Sequence, residues 1–157
     1  MNNPYLEVIS LVERLHRQFM EVVKLELEGS GVRDINNVQA MMLFNIGDIE
    51  MTVGELILRG CYLGSNVSYN VKKMVENKYL VHERSAHDRR TIRVRLTERG
   101  MKLRDSLTVM HQRHAEMLPQ AAVSFEDLRG ASATLRRLER FWLRAGDLVQ
   151  RPPQFAA

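Results

Sequence analysis

The chain has 157 residues, 45% of them hydrophobic and 27% charged, enough for one domain or one domain with appended helices. That balance excludes a disordered chain. The net charge of +4 is unevenly spread: residues 72–104 hold 11 Lys/Arg against 4 Asp/Glu, so this stretch carries +7 and the rest −3.

A basic block inside a folded domain is the electrostatic footprint of a polyanion partner. A single cysteine, Cys61, excludes an intramolecular disulfide framework and suits a reducing compartment. No apolar run approaches the roughly 18 residues of a membrane helix. The opening MNNPYLEV has no signal-peptide pattern. The expected location is the cytoplasm, with no membrane partner.

Taken in chain order, the first predicted helix covers 4–28. Pro4 suits its first turn, and Leu6, Ile9, Val12, His16, Phe19, Val23 and Leu27 form one face. Gly29 and Gly31 end it. Asn36 or Asn37 caps a second helix over 38–46. Thr52 and Glu55 have the spacing of a capping box and open a third, short helix ending near Gly60. After a turn through Gly64, Ser65 is the expected cap of a helix over 66–77 whose buried face is Val67, Val71, Met74 and Val75. Two short helices joined by a tight turn make a helix-turn-helix.

The period then changes to two. Ile92, Val94 and Leu96 alternate with Arg93 and Arg95, a half-buried strand. Residues 80–84 are its partner, across a polar loop ending in Asp88, Arg89 and Arg90. A helix-turn-helix followed by a basic hairpin is a winged helix. Thr97 caps the next helix, lined by Leu103, Leu107, Met110, His114 and Met117, which Pro119 ends or bends. Ser124 and Asp127 open the last helix, where Leu128, Ala131, Leu135, Leu138, Trp142, Ala145 and Val149 repeat at three- and four-residue steps, a coiled-coil-like seam. Residues 151–155 form an extended tail. The expected fold is mainly α with a small antiparallel β-wing. It is one domain over 1–157, with a winged helix-turn-helix lobe over about 35–100 and dimerisation helices over about 4–28 and 101–150.

The outer face of the 66–77 helix offers Asn66, Ser68, Tyr69, Asn70, Lys72 and Lys73, with Ser65 at its start. Amides and hydroxyls bond base edges or phosphates, and lysines neutralise phosphates. The N-terminal part of such a helix enters the major groove. Arg89 and Arg90 at the hairpin tip suit a narrow minor groove, and Asp88 is placed to orient Arg90 by a charge-assisted bond.

The run MTVGELILRGCYLGSNVSYNVKKMVENKYLVHERSAHDRRTIRVRLTERG resembles the core of the MarR family. Its Met51-Thr52 through Glu55-Leu56, the serine-bearing helix from Ser65, Asp88-Arg89-Arg90, and Leu96-Thr97 through Gly100 follow that family's order. The wording around GCYLGSNVSYN is similar to an alphaproteobacterial subgroup. The resemblance implies a homodimer built from the first and last helices. It also implies minor-groove probing by Arg90 held by Asp88, and a repressor or dual regulator whose DNA affinity responds to a small aromatic acid or to thiol oxidation. Met51 stands where leucine is usual, and Asn66 where threonine is frequent.

A cluster of His16, Phe19, Met20, Met41 and Met42 is a candidate effector pocket on the same analogy. His111 and His114 sit three apart, a metal-compatible spacing without a third ligand, so no metal and no cofactor is expected. Nothing near Cys61 in sequence lowers its pKa. No P-loop, GxGxxG or HExxH occurs. Two other classes remain as alternatives to a regulator: an enzyme, or a pure protein-interaction module built on the C-terminal seam. The expected partners are double-stranded DNA carrying an inverted repeat and a second copy of the chain.

Overall fold

The structure, a computed structural model, describes residues 3–60 and 62–150, the last four of these by their backbone alone. Cys61, the Val149 side chain and the 151–155 tail therefore lie outside the described residues. The chain divides into two compact units, Met1–His111 and Gln112–Ala157.

The first unit begins with α1 (Pro4–Gly29), capped by Asn3, whose side chain accepts from the Tyr5 N–H. Along the apolar face of α1, Val23 and Leu27 are buried, Ile9, Val12 and Phe19 are half-buried and Leu6 is exposed; Leu11 and Leu15, off that face, are exposed as well. Helix α2 (Asn37–Ile46) starts at Asn36, not Asn37. The Asn36 side chain accepts from the Gln39 N–H at 2.8 Å, and the Gln39 side chain accepts from the Asn36 N–H at 3.1 Å. Asn37 instead donates to the Met20 carbonyl of α1 at 2.9 Å.

Strand β1 (Met51–Thr52) was not expected from the sequence; two residues are too few to show a period. It leads into α3 (Val53–Gly60), where the Thr52–Glu55 capping box forms in both directions, at 2.7 and 3.0 Å. Helix α4 (Gly64–Glu76) begins two residues earlier than its serine suggested. Leu63 is the N-cap and no side chain bonds the first turn, so Ser65 lies inside the helix and does not cap it. At the other end the Tyr79 N–H reaches the Met74 carbonyl and the Lys78 N–H the Val75 carbonyl, with Lys78 left-handed at φ 64°. That Schellman closure normally takes glycine.

Strands β2 (Leu80–Arg84) and β3 (Ile92–Leu96) form the expected antiparallel hairpin, Leu80 opposite Leu96 and Arg84 opposite Ile92. Strand β3 is central, because β1 pairs with its other edge through Met51 and Val94. Val94 and Leu96 are buried and Arg93 and Arg95 exposed, as the alternation requires. Helix α5 (Glu98–Met117) follows, with Leu103, Leu107 and Met110 buried. The core gathers these with Met42, Leu43 and Ile46 of α2, Leu56 of α3, and Val67, Val71 and Met74 of α4.

A polar clasp ties the α1–α2 loop to the end of α4 and the start of α5. Asp34 accepts from the Tyr79 hydroxyl at 2.7 Å and from Arg99 at 2.8 Å. Arg99 also reaches the Asn77 carbonyl at 2.7 Å and lies 4.4 Å above the Tyr79 ring. Burial raises the Asp34 carboxyl pKa, but the Tyr79 bond and the Arg99 charge outweigh it and hold the group below its ordinary value. Burial and the Asp34 bond push the Tyr79 hydroxyl up to about 12.

An unfolded tyrosine ionises near pH 10. The clasp's contribution is therefore complete below about pH 10 and is lost as pH rises toward 12, where the unfolded chain has released a proton that the folded chain still holds. Urea midpoints measured from pH 9 to 12 are expected to fall more steeply for the parent protein than for Tyr79→Phe. Parallel curves would show that Tyr79 titrates alike in both states.

In the second unit, Pro119 lies in a single 3-10 turn (Leu118–Ala121), and the chain turns at Ala122 in a left-handed conformation, φ 56°. Helix α6 (Phe125–Gln150) opens with the expected Ser124–Asp127 reciprocal cap, at 2.9 and 3.1 Å. No described side chain of α6 is buried. Phe125, Leu128, Leu135, Phe141, Trp142 and Leu143 are all exposed. No helix among the described residues is long and apolar enough to cross a membrane.

Candidate nucleic-acid interface

Helix α4 presents one face to the core through Val67, Asn70, Val71 and Met74. Its opposite face carries Ser65, Asn66, Ser68, Tyr69 and Lys72, all exposed. These five predicted contacts thus share one accessible surface, with hydroxyls, an amide and a cation in reach of an incoming ligand. Lys73 is half-buried and its ammonium sits 3.0 Å from Glu76, which raises its pKa through that bond and charge. It is therefore already paired in the free protein.

Asn70 departs from expectation. It was placed on the outer face, but it is buried, accepts from Gln39 at 3.0 Å and donates to the Asn66 carbonyl at 2.8 Å. A helical position four after Asn66 lies on nearly the same side as Asn66 but also borders the buried Val67 and Met74, and the bond to Gln39 of the neighbouring α2 is what turns it inward.

At the wing tip Arg89 and Arg90 are exposed. Asp88 organises this loop differently from the sequence expectation. Its carboxylate accepts from the backbone N–H of Arg90 at 2.9 Å and from the Thr91 hydroxyl at 2.9 Å. It therefore shapes the turn and leaves the guanidinium of Arg90 to other partners. Those two bonds hold the Asp88 carboxyl below its usual range. The Ser85 N–H to Thr91 carbonyl bond, 2.9 Å, closes the loop.

Within the first unit, a cavity of about 430 Å³ opens between α1, α2 and the α3–α4 turn, lined among others by His16, Phe19, Met20 and Met41. Four of the five residues proposed for an effector pocket thus meet around one space. Met42 does not: it is 1% exposed and belongs to the core, because it points one helical step away from Met41. Sequence reading missed two polar lining residues, Asn45 and Tyr62. Asn45 donates to the Tyr62 hydroxyl at 2.7 Å. A Cβ on Gly60 would collide with the Tyr62 ring, so this glycine lets the tyrosine lie against the chain. The His111 ring packs against Phe19 and Phe44, centroids 5.8 and 5.0 Å away. Among the described residues no group of three or more His, Cys, Asp or Glu could hold a metal ion.

A helix-turn-helix whose second helix carries an exposed polar face, followed by an arginine-tipped hairpin, defines a winged-helix DNA-binding protein. Residues 35–100 match the family model described as a winged helix DNA-binding domain. The chain is 38% identical over 138 residues to the exopolysaccharide II synthesis transcriptional activator ExpG of Rhizobium meliloti, covering 88% of this chain and 71% of that protein. Its fold is similar to that of AbsC, a MarR family transcriptional regulator from Streptomyces coelicolor, with a TM-score of 0.73, 17% identity and coverage of 92% and 97% of the two chains. It is also similar to Streptococcus pneumoniae FabT, solved in complex with DNA, with a TM-score of 0.72, 18% identity and coverage of 90% and 99%. The chain belongs to the MarR family of winged-helix transcription regulators. It is a DNA-binding transcription regulator.

Proposed function

We propose that the chain acts as a homodimer that reads an inverted-repeat operator. Helix α4 of each copy lies in a major groove and each wing in an adjacent minor groove. Asn66, Ser68 and Tyr69 discriminate bases, Ser65 and Lys72 meet phosphates, and Arg89 and Arg90 supply charge at the wing. The observation that carries this reading is the shared exposed face of Ser65, Asn66, Ser68, Tyr69 and Lys72, followed in the same lobe by a hairpin whose two tip arginines are exposed. The cavity at His16, Phe19, Met20 and Met41 is the place where a small aromatic effector would act. It would change DNA affinity only by its differential affinity for the two states of the dimer. FabT, solved in complex with DNA, supports DNA as the ligand, and ExpG, an activator, supports a regulator not confined to repression. Half-sites are expected about one helical turn, ~10 bp, apart.

A salt titration tests the wing. Loss of one phosphate-neutralising charge lowers the slope of log affinity against log salt by about 0.9 on B-DNA. Arg90→Ala is expected to weaken operator and scrambled duplex together and to flatten that slope. Asn66→Ala or Ser68→Ala should cost about 1–3 kcal/mol per lost base contact and leave the slope intact. Fluorescence anisotropy on both duplexes separates the two patterns. An Arg90→Ala protein that binds both like its parent removes the wing from the interface.

A further inference from the structure

Gln39 and Asn70 are the buried polar residues of the core among the described residues, 7% and 9% exposed, and they are bonded to each other. The Gln39 Nε2 donates to the Asn70 Oδ1 at 3.0 Å. The Gln39 Oε1 accepts from the Asn36 N–H at 3.1 Å. The Asn70 Nδ2 donates to the Asn66 carbonyl at 2.8 Å. A chain of three bonds therefore runs from the cap of α2 to the backbone of Asn66 on the exposed face of α4.

Apolar contacts between two helices tolerate small rotations, whereas a buried amide pair does not, because a lost bond leaves its donor and acceptor unsatisfied. A helix with side chains is about 10–12 Å across. Turning α4 by roughly 20° about its axis would move side-chain atoms at its surface by about 2 Å. That is enough to break the Gln39–Asn70 bond, and it would shift Asn66 and Ser68 equally relative to base edges.

We infer that Gln39, which lies outside the DNA-facing surface, is a positioning residue for sequence discrimination: its bond to Asn70 sets the rotation of α4 and so the presentation of Asn66 and Ser68. The inference rests on the reading of α4 as the base-reading helix. Non-specific affinity comes from charge and depends little on this rotation.

The test uses the full chain, a duplex that the parent protein selects from random-sequence DNA, and a scrambled duplex. Replacing both amides, in Gln39→Leu/Asn70→Leu, removes the buried pair together, a change that is often close to neutral for stability; the Asn36 N–H loses the Gln39 oxygen, but Asn36 is exposed and water can take that place. The double variant is expected to keep its scrambled-duplex affinity and salt slope while its preference for the selected duplex falls at least tenfold. Asn70→Ala, which deletes both Asn70 bonds with a good helix former, should lose preference in the same way, and it decides the matter if the double variant does not fold. A variant that discriminates like its parent overturns the inference. So does one that loses both affinities in proportion, since that is the mark of a merely structural role. A parent that shows no preference for any selected duplex instead fails the underlying reading of α4.

Discussion

Placing two charges on the exposed seam, as in Leu128→Glu/Leu135→Glu, is expected to split the proposed homodimer into monomers and to lower operator affinity by about 10²–10⁴-fold. Leu128 is 38% exposed and Leu135 47% exposed in the single chain, and Phe125, Phe141, Trp142 and Leu143 are exposed with them. Scattered exposed leucines are ordinary, but a 26-residue helix with no buried described side chain and this many large apolar groups is not. The exposed Leu6, Leu11 and Leu15 of α1 present a second bare surface. The proposed pairing of copies would cover apolar surface of this kind.

The size of the affinity loss follows from linkage. Two reading lobes held together bind with an effective concentration that a pair of separate lobes lacks, which is worth about 10²–10⁴ in avidity. Both changed positions are exposed in the single chain, so the fold of each copy should survive. Light scattering and circular dichroism on the variant, beside anisotropy on the operator, check all three parts. A variant that stays dimeric with parental affinity removes α6 from the interface.

The second large effect is on stability. Gly100→Ala is expected to destabilise the protein by about 3 kcal/mol and to lower its melting temperature by roughly 5–12 °C. Gly100 is buried, and a Cβ there would collide with the backbone carbonyl of Tyr79 while sitting 3.3 Å from the Leu96 Cβ. That carbonyl cannot retreat freely, since it accepts from the Thr97 N–H at 3.1 Å, and the Thr97 hydroxyl, also 3.1 Å from it, is anchored by donating to the adjacent Lys78 carbonyl at 2.7 Å. The same hydroxyl receives the Gly100 N–H at 3.0 Å.

The Leu96-Thr97 through Gly100 motif is thus a junction. Thr97 caps α5 and grips the segment after α4, and the missing side chain at Gly100 lets the two backbones meet. Asn66→Ala, an exposed change on the reading helix, should leave the melting temperature nearly unaltered. Calorimetry on both variants separates the two roles, and a Gly100→Ala protein as stable as its parent would show that the contact relaxes at little cost.

Much of this molecule was legible in one dimension. The three- and four-residue apolar steps in α4 and α5, the alternation of Ile92, Val94 and Leu96 with Arg93 and Arg95, and the Thr52–Glu55 and Ser124–Asp127 caps depend on neighbours close in sequence. Local bonding and side-chain period specify them. The exposed polar face of α4 and the arginine-tipped hairpin could be read for the same reason.

The tertiary structure decided what depends on distant partners. Met51 and Thr52 become a strand only because β3 offers them a free edge. Asn70 turns inward because Gln39, 31 positions earlier, needs a bond. Met41 lines a cavity with His16, Phe19 and Met20 of α1, while the adjacent Met42 fills the core. Periodicity assigns a residue to a face, but a residue at the border of two faces, or on a segment too short to have a period, is placed by whichever contact across the fold satisfies its polar groups or covers its apolar ones.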